Sequence, residues 1–109
     1  MSLQEITEAG YPEFAGRPGV AVLEFGAEWC PPCKVLLPIL EELSQEYGET
    51  VAIAKVDADE SPELASRFGV MGLPTVIVFN DGQPVDKLVG LRPKGVYQTI
   101  IERYREGNI

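Results

Sequence analysis

One stretch limits this chain more than any other: Trp29-Cys30-Pro31-Pro32-Cys33, set where a strand-like run stops and a helical run begins. It holds both cysteines of the 109 residues. Two residues between them let the sulfurs face each other across the first turn of a helix, within disulfide reach. The first cysteine also meets unpaired amides and the positive end of the helix dipole, which favour a negative sulfur. Thiolate is the nucleophilic form, so the pair reads as a reactive dithiol. Two other readings stay open on the residues alone. The cysteines can be buried and inert. They can also bind zinc, but two thiols and no histidine would oblige two chains to share the metal.

The segments around the pair alternate between two periodicities. Val20-Ala21-Val22-Leu23-Glu24-Phe25 is apolar on both faces apart from Glu24, as a central strand covered on each side should be. From Lys34 to Tyr47, Leu36, Leu40, Leu43 and Tyr47 recur at helical spacing, with Leu37 widening the stripe. Pro38 falls inside this helix and predicts a kink without a break, because the stripe continues past it. Gly48 ends it. Val51 to Asp57 is a second apolar strand, and Ser61-Pro62 caps and opens a short helix reaching Phe68. Thr75 to Phe79 is dense in β-branched residues. Asn80-Asp81-Gly82 then signals a hairpin into Val85 to Val89. Leu3 to Ile6 reads as a short edge strand and Tyr11 to Ala15 as a short helix. Past Pro93, the residues Val96, Tyr97, Ile100, Ile101 and Tyr104 mark a closing amphipathic helix. The order β-α-β-α-β-α-β-β-α predicts an α/β fold: a mixed sheet, parallel in its early half and antiparallel at one edge, with helices on both faces. Residues 1–109 are expected to form one domain.

Charge excludes several functions. A formal net charge of −8 repels nucleic acid and anionic membrane surfaces alike. No apolar run approaches the roughly 20 residues that cross a bilayer. The start, Met1-Ser2-Leu3-Gln4-Glu5, shows no basic segment followed by an apolar one. A close cysteine pair without a signal peptide points to a reducing compartment, by default the cytoplasm.

With these pieces assembled, the chain resembles the thioredoxin family along nearly its whole length. The resemblance rests on Phe25-Gly26-Ala27-Glu28-Trp29-Cys30-Pro31-Pro32-Cys33-Lys34, on Lys55-Val56-Asp57-Ala58-Asp59, on Gly69-Val70-Met71-Gly72-Leu73-Pro74-Thr75 and on Val89-Gly90. It implies a thioredoxin fold and thiol–disulfide exchange with disulfide-containing protein substrates. An external reductase would recharge the dithiol, and no bound cofactor or metal would be needed. By position Cys30 is the attacking thiol and Cys33 the resolving one. The element pattern agrees, placing Cys30 at an exposed helix entrance and Cys33 one shielded turn further in. The chain is expected to be monomeric.

Glu24 is the second informative residue, since an acid in an apolar strand is costly unless paired or functional. The resemblance gives this position to a buried acid that moves a proton to or from the resolving cysteine, and makes Lys55 the lysine that holds it partly ionised. A purely structural Glu24–Lys55 ion pair is the other reading. The resemblance also implies a cis Pro74 facing the cysteines, with the Leu73 backbone free to pair with a substrate strand. Trp29, Met71, Leu73 and Pro74 would form an apolar docking patch beside Pro31 and Pro32, with Gly90 allowing close approach. Trp29 can equally be core.

The chain departs from the family at three points. The family usually has aspartate where Glu24 stands. Pro31-Pro32 replaces the familiar Gly-Pro, leaving one fewer N–H for a Cys30 thiolate. Gly26 replaces an aromatic or other bulky residue, which predicts a more open surface and looser packing beside the cysteines. The leading reading is a cytoplasmic protein disulfide reductase. An oxidant or isomerase competes with it, as does a docking module whose redox activity is incidental.

Overall fold

A computed structural model describes residues 3–106, so the reading of Met1 and Ser2 lies outside it. Five strands form one sheet: β1 (Gln4–Glu5), β2 (Val20–Gly26), β3 (Ala52–Asp57), β4 (Thr75–Asn80) and β5 (Gln83–Val89). The helices are α1 (Tyr11–Gly16), α2 (Pro31–Tyr47), α3 (Pro62–Arg67) and α4 (Lys94–Arg105), with a single 3-10 turn at Gly48–Thr50. The strand order is β1-β3-β2-β4-β5, which puts β2 in the centre. Every residue of β2 is buried.

Successive side chains of β2 go to opposite faces and into two separate cores. Val20 and Val22 pack with Leu36, Leu40 and Leu43 of α2 and with Tyr97, Ile100 and Ile101 of α4. Ala21, Leu23 and Phe25 pack with Tyr11 and Phe14 of α1, Leu64 of α3 and Phe79 of β4. Helix α2 runs through Pro38 as a single element. Gly48 ends it at φ 59°, its N–H donating to the Ser44 carbonyl. At the β4–β5 hairpin, Asp81 (φ 53°) and Gly82 (φ 85°) supply the two positive φ angles of a tight two-residue turn.

The structure corrects three expectations. Antiparallel pairing is not confined to one edge, because β4 already runs antiparallel to β2. Thr75 at the start of β4 pairs with Phe25, next to Gly26, whose own partner Asp57 is where β3 leaves, so residues 58–74 return the chain to the same end of the sheet. Ser61 makes no side-chain cap to α3 and is itself buried. The final strand starts at Gln83, two residues earlier than its apolar run, with Pro84 accommodated at an irregularity in the pairing on the edge strand.

Candidate active site

The end of β2 and the start of α2 bring the two cysteines together. Cys30 is the N-cap of α2, and Pro31 and Pro32 fill the helix's first positions, where an N–H has no intrahelical partner to lose. The loop is tied locally: the Cys30 N–H donates to the Ala27 carbonyl at 3.2 Å, and the Lys34 N–H to the Cys30 carbonyl at 3.3 Å. Cys30 and Cys33 are joined as a disulfide, their Cα atoms 5.3 Å apart. Among the described residues no group of three or more Cys, His, Asp or Glu converges on a metal position.

Both cysteines are buried, Cys30 at 3% exposure and Cys33 at 2%. The expected exposure of Cys30 is therefore corrected. In the disulfide its sulfur turns inward toward Cys33, and the pair clusters with Ala27 under the half-buried Leu73. What is exposed is the rim. Trp29 (68%) and Met71 (97%) stand out in solvent, which excludes the core reading of Trp29. The indole Nε1 donates to Asp59 Oδ2 at 2.7 Å, so the ring is anchored at its edge while most of the residue stays in solvent. Pro31 is exposed and Pro32 half-buried. The Leu73–Pro74 bond is cis. Pro74 itself is buried and adds no surface to the rim in this state. Its carbonyl accepts from the Gly90 N–H at 2.7 Å, and Gly90 adopts φ 90°, a conformation that suits glycine.

A second constellation lies behind Cys33. Glu24 is 2% exposed, and its Oε2 has no hydrogen-bond partner among the described residues. Burial pushes the carboxyl up to about 7, and the positive charge of Lys55 offsets part of that rise. Lys55 lies opposite Glu24 in the β2–β3 register, yet the two make no direct ion pair, so the structural ion-pair reading fails. The strand pair holds their backbones side by side, and Lys55 as a residue is half-buried on the same cleft as Glu24. A cleft of about 150 Å³ connects these groups, its lining running from Glu24, Gly26 and Cys33 to Lys34, Lys55 and Asp57.

The expected looseness at Gly26 is also corrected. A Cβ there would overlap Glu24 Oε2 and come within 3.2 Å of Cys33 Sγ, so the space left by the missing side chain is filled by Glu24. Two participants escaped the sequence reading. Asp59, the partner of Trp29, lay within a family-like segment but carried no periodic signal. Ala27, beneath the disulfide, is distinguished only by its packing.

Comparison with known proteins accords with this geometry. The family model described as Thioredoxin matches residues 3–103. The chain is 42% identical over 104 residues to a thioredoxin of Staphylococcus saprophyticus, covering 95% of this chain and 99% of that one. It is similar to a mutant thioredoxin from Halobacterium salinarum at a TM-score of 0.87 and 34% identity, covering 94% of this chain and 89% of that one. A Plasmodium falciparum thioredoxin gives a TM-score of 0.85 at 31% identity, with 94% and 99% covered.

Proposed function

The chain belongs to the thioredoxin family and is a thiol–disulfide oxidoreductase, and from that premise we propose that it is a protein disulfide reductase in which Cys30 attacks and Cys33 resolves. The Cys30 thiolate attacks one sulfur of a substrate disulfide, forming a Cys30–substrate disulfide and releasing the other substrate sulfur as thiolate. The Cys33 thiolate then attacks Cys30 Sγ, closing the internal disulfide and releasing the second substrate sulfur. Two electrons pass to the substrate, and an external reductase returns them. They reside in the cysteine pair, so no bound cofactor takes part.

The supporting observation is that the two sulfurs have different neighbours. Cys30 caps the helix between the exposed Trp29 and Pro31 in the chain and does not line the cleft behind the pair. Cys33 lies one turn in, on the cleft that holds Glu24. Substrate therefore reaches Cys30 across Trp29, Pro31, Pro32, Met71 and Leu73, with the Leu73 backbone pairing to an extended substrate strand and Pro74 and Gly90 supporting it from below. Glu24 takes the proton from the Cys33 thiol as it becomes the attacking thiolate, and Lys55 tunes that carboxyl from across the strand pair. The protein acts as a monomeric single domain in the reducing cytoplasm. No helix among the described residues is long and apolar enough to cross a membrane.

The test is trapping. Cys33→Ser should accumulate a mixed disulfide with a protein substrate such as insulin, and Cys30→Ser should not. The reverse pattern would overturn the assignment. A reduction potential far above the roughly −220 to −320 mV glutathione range of the cytosol would replace reductase with oxidant.

A further inference from the structure

Gly26 sits where a glycine is hard to justify. It is the last residue of the central strand β2, buried and paired with Asp57 of β3. Glycine weakens a strand interior through lost entropy and lost packing. Its backbone does not require it, because Gly26 is not among the residues with positive φ. What it provides is space. A Cβ at this position would overlap Glu24 Oε2 and would lie 3.2 Å from both Glu24 Cδ and Cys33 Sγ. Residues two apart on a strand share a face, so the long side chain of Glu24 leans along β2 over the bare Cα of Gly26. The same point in space also adjoins the Cys33 sulfur in the first turn of α2.

We propose that Gly26 is a positioning residue whose missing side chain forms the seat that holds the Glu24 carboxyl against Cys33. The proposal deepens the reading of Glu24 as proton acceptor for Cys33 and rests on it. An aspartate at position 24 would stop one methylene short and leave room for a side chain at 26. The glutamate carboxyl, where it stands, occupies that room. The two positions form one size-matched unit, and the two departures from the family pattern are one departure. The charged and titratable groups around this carboxyl are Lys55 and Asp57 from β3, Cys33 and Lys34 from α2, Tyr97 from α4, Glu28 from the loop and Glu5 from β1. None of them is altered in the variants that test the idea.

The test uses wild type, Gly26→Ala, Glu24→Asp and the double variant in the full chain. Two readouts are taken: the pH profile of insulin disulfide reduction, and the titration of the residue-24 carboxyl by carbon-13 NMR. In the wild-type background, Gly26→Ala should displace the carboxyl titration and lower turnover at pH 7 on the order of tenfold. In the Glu24→Asp background, Gly26→Ala should change either readout by no more than about twofold. Equal losses in both backgrounds would overturn the proposal, because Cys33 or the backbone, and not Glu24, would then exclude the methyl. If Gly26→Ala folds only together with Glu24→Asp, that rescue is the same coupling. If it folds in neither background, the proposal fails. Coupling in the NMR titration with turnover indifferent to Glu24→Gln would uphold the seat and overturn the proton-transfer role.

Discussion

The two faces of β2 carry residues one position apart in sequence, yet they are built for different ends. On one face Leu23 and Phe25 join an apolar core with a linked set of aromatic rings. Tyr11 and Phe68 lie 5.5 Å apart, Phe68 and Phe79 5.7 Å, and Phe25 and Phe68 6.0 Å. Tilted and edge-to-face contacts of this kind add to the area buried. On the other face the apolar run of Val20 and Val22 gives way to Glu24 and Gly26, a buried acid and a bare backbone. The first face stabilises the sheet. The second gives up part of that stability to hold a carboxyl beside a redox sulfur. A single strand can do both because side-chain alternation keeps its two faces independent.

That independence can be broken from either side. The largest effect should come from Cys30→Ser, which ought to reduce insulin-disulfide turnover to background while the circular dichroism spectrum stays unchanged. On the opposite face, Phe79→Ala should cost about 3–5 kcal/mol in urea unfolding. Turnover per folded molecule should barely change, and a loss of turnover matching the loss of stability would show that the two faces are coupled.

Glu24→Gln sharpens the contrast through pH. The Glu24 carboxyl is raised from 4.5 to about 7 in the folded chain, so the folded state binds its proton more tightly than the unfolded state does. The resulting stability is fully present below about pH 4.5 and is lost as pH rises through about 7, a swing on the order of 3 kcal/mol. Denaturation of the oxidised protein at several pH values should show that decline in wild type, and Glu24→Gln should flatten it. The same variant should slow turnover at neutral pH. An unchanged rate across the whole pH range would remove Glu24 from proton transfer. The smallest effect on folding belongs to Trp29→Ala, which should move stability by no more than about 0.5 kcal/mol. It should raise KM for a protein disulfide with kcat little changed, and an unaltered KM would remove Trp29 from the docking surface.

Much of this was legible beforehand, for reasons specific to the residues. The apolar runs of β2 and β3, the leucine stripe of α2, Gly48 at its end and Asn80-Asp81-Gly82 in the hairpin are all signals between neighbours in the chain. The cysteine pair was legible because helix geometry alone brings positions 30 and 33 together. The direction of β4 relative to β2 was not, because it depends on the path of the whole connection across residues 58–74. Neither was the burial of Cys30, which needs Leu73 to arrive from a distant segment of the chain. Glu24 and Lys55 could be read as an ion pair because both stand in strands and the resemblance sets the lysine near the acid. Whether the two charges touch depends on the packed register, which sets them opposite each other without a direct ion pair.

By itself, then, the sequence determined the order of elements, the reactive pair at a helix entrance and the oddity of an acid in the central strand. Periodicity, turn chemistry and fixed backbone geometry act over a few residues and can be read in line. The tertiary structure alone decided which sulfur faces which neighbours, that Lys55 acts on Glu24 from a distance, and that the bare Cα of Gly26 makes room for the carboxyl of Glu24. These depend on volume shared among β2, β3 and α2, and that volume exists only once the helix has packed onto the sheet.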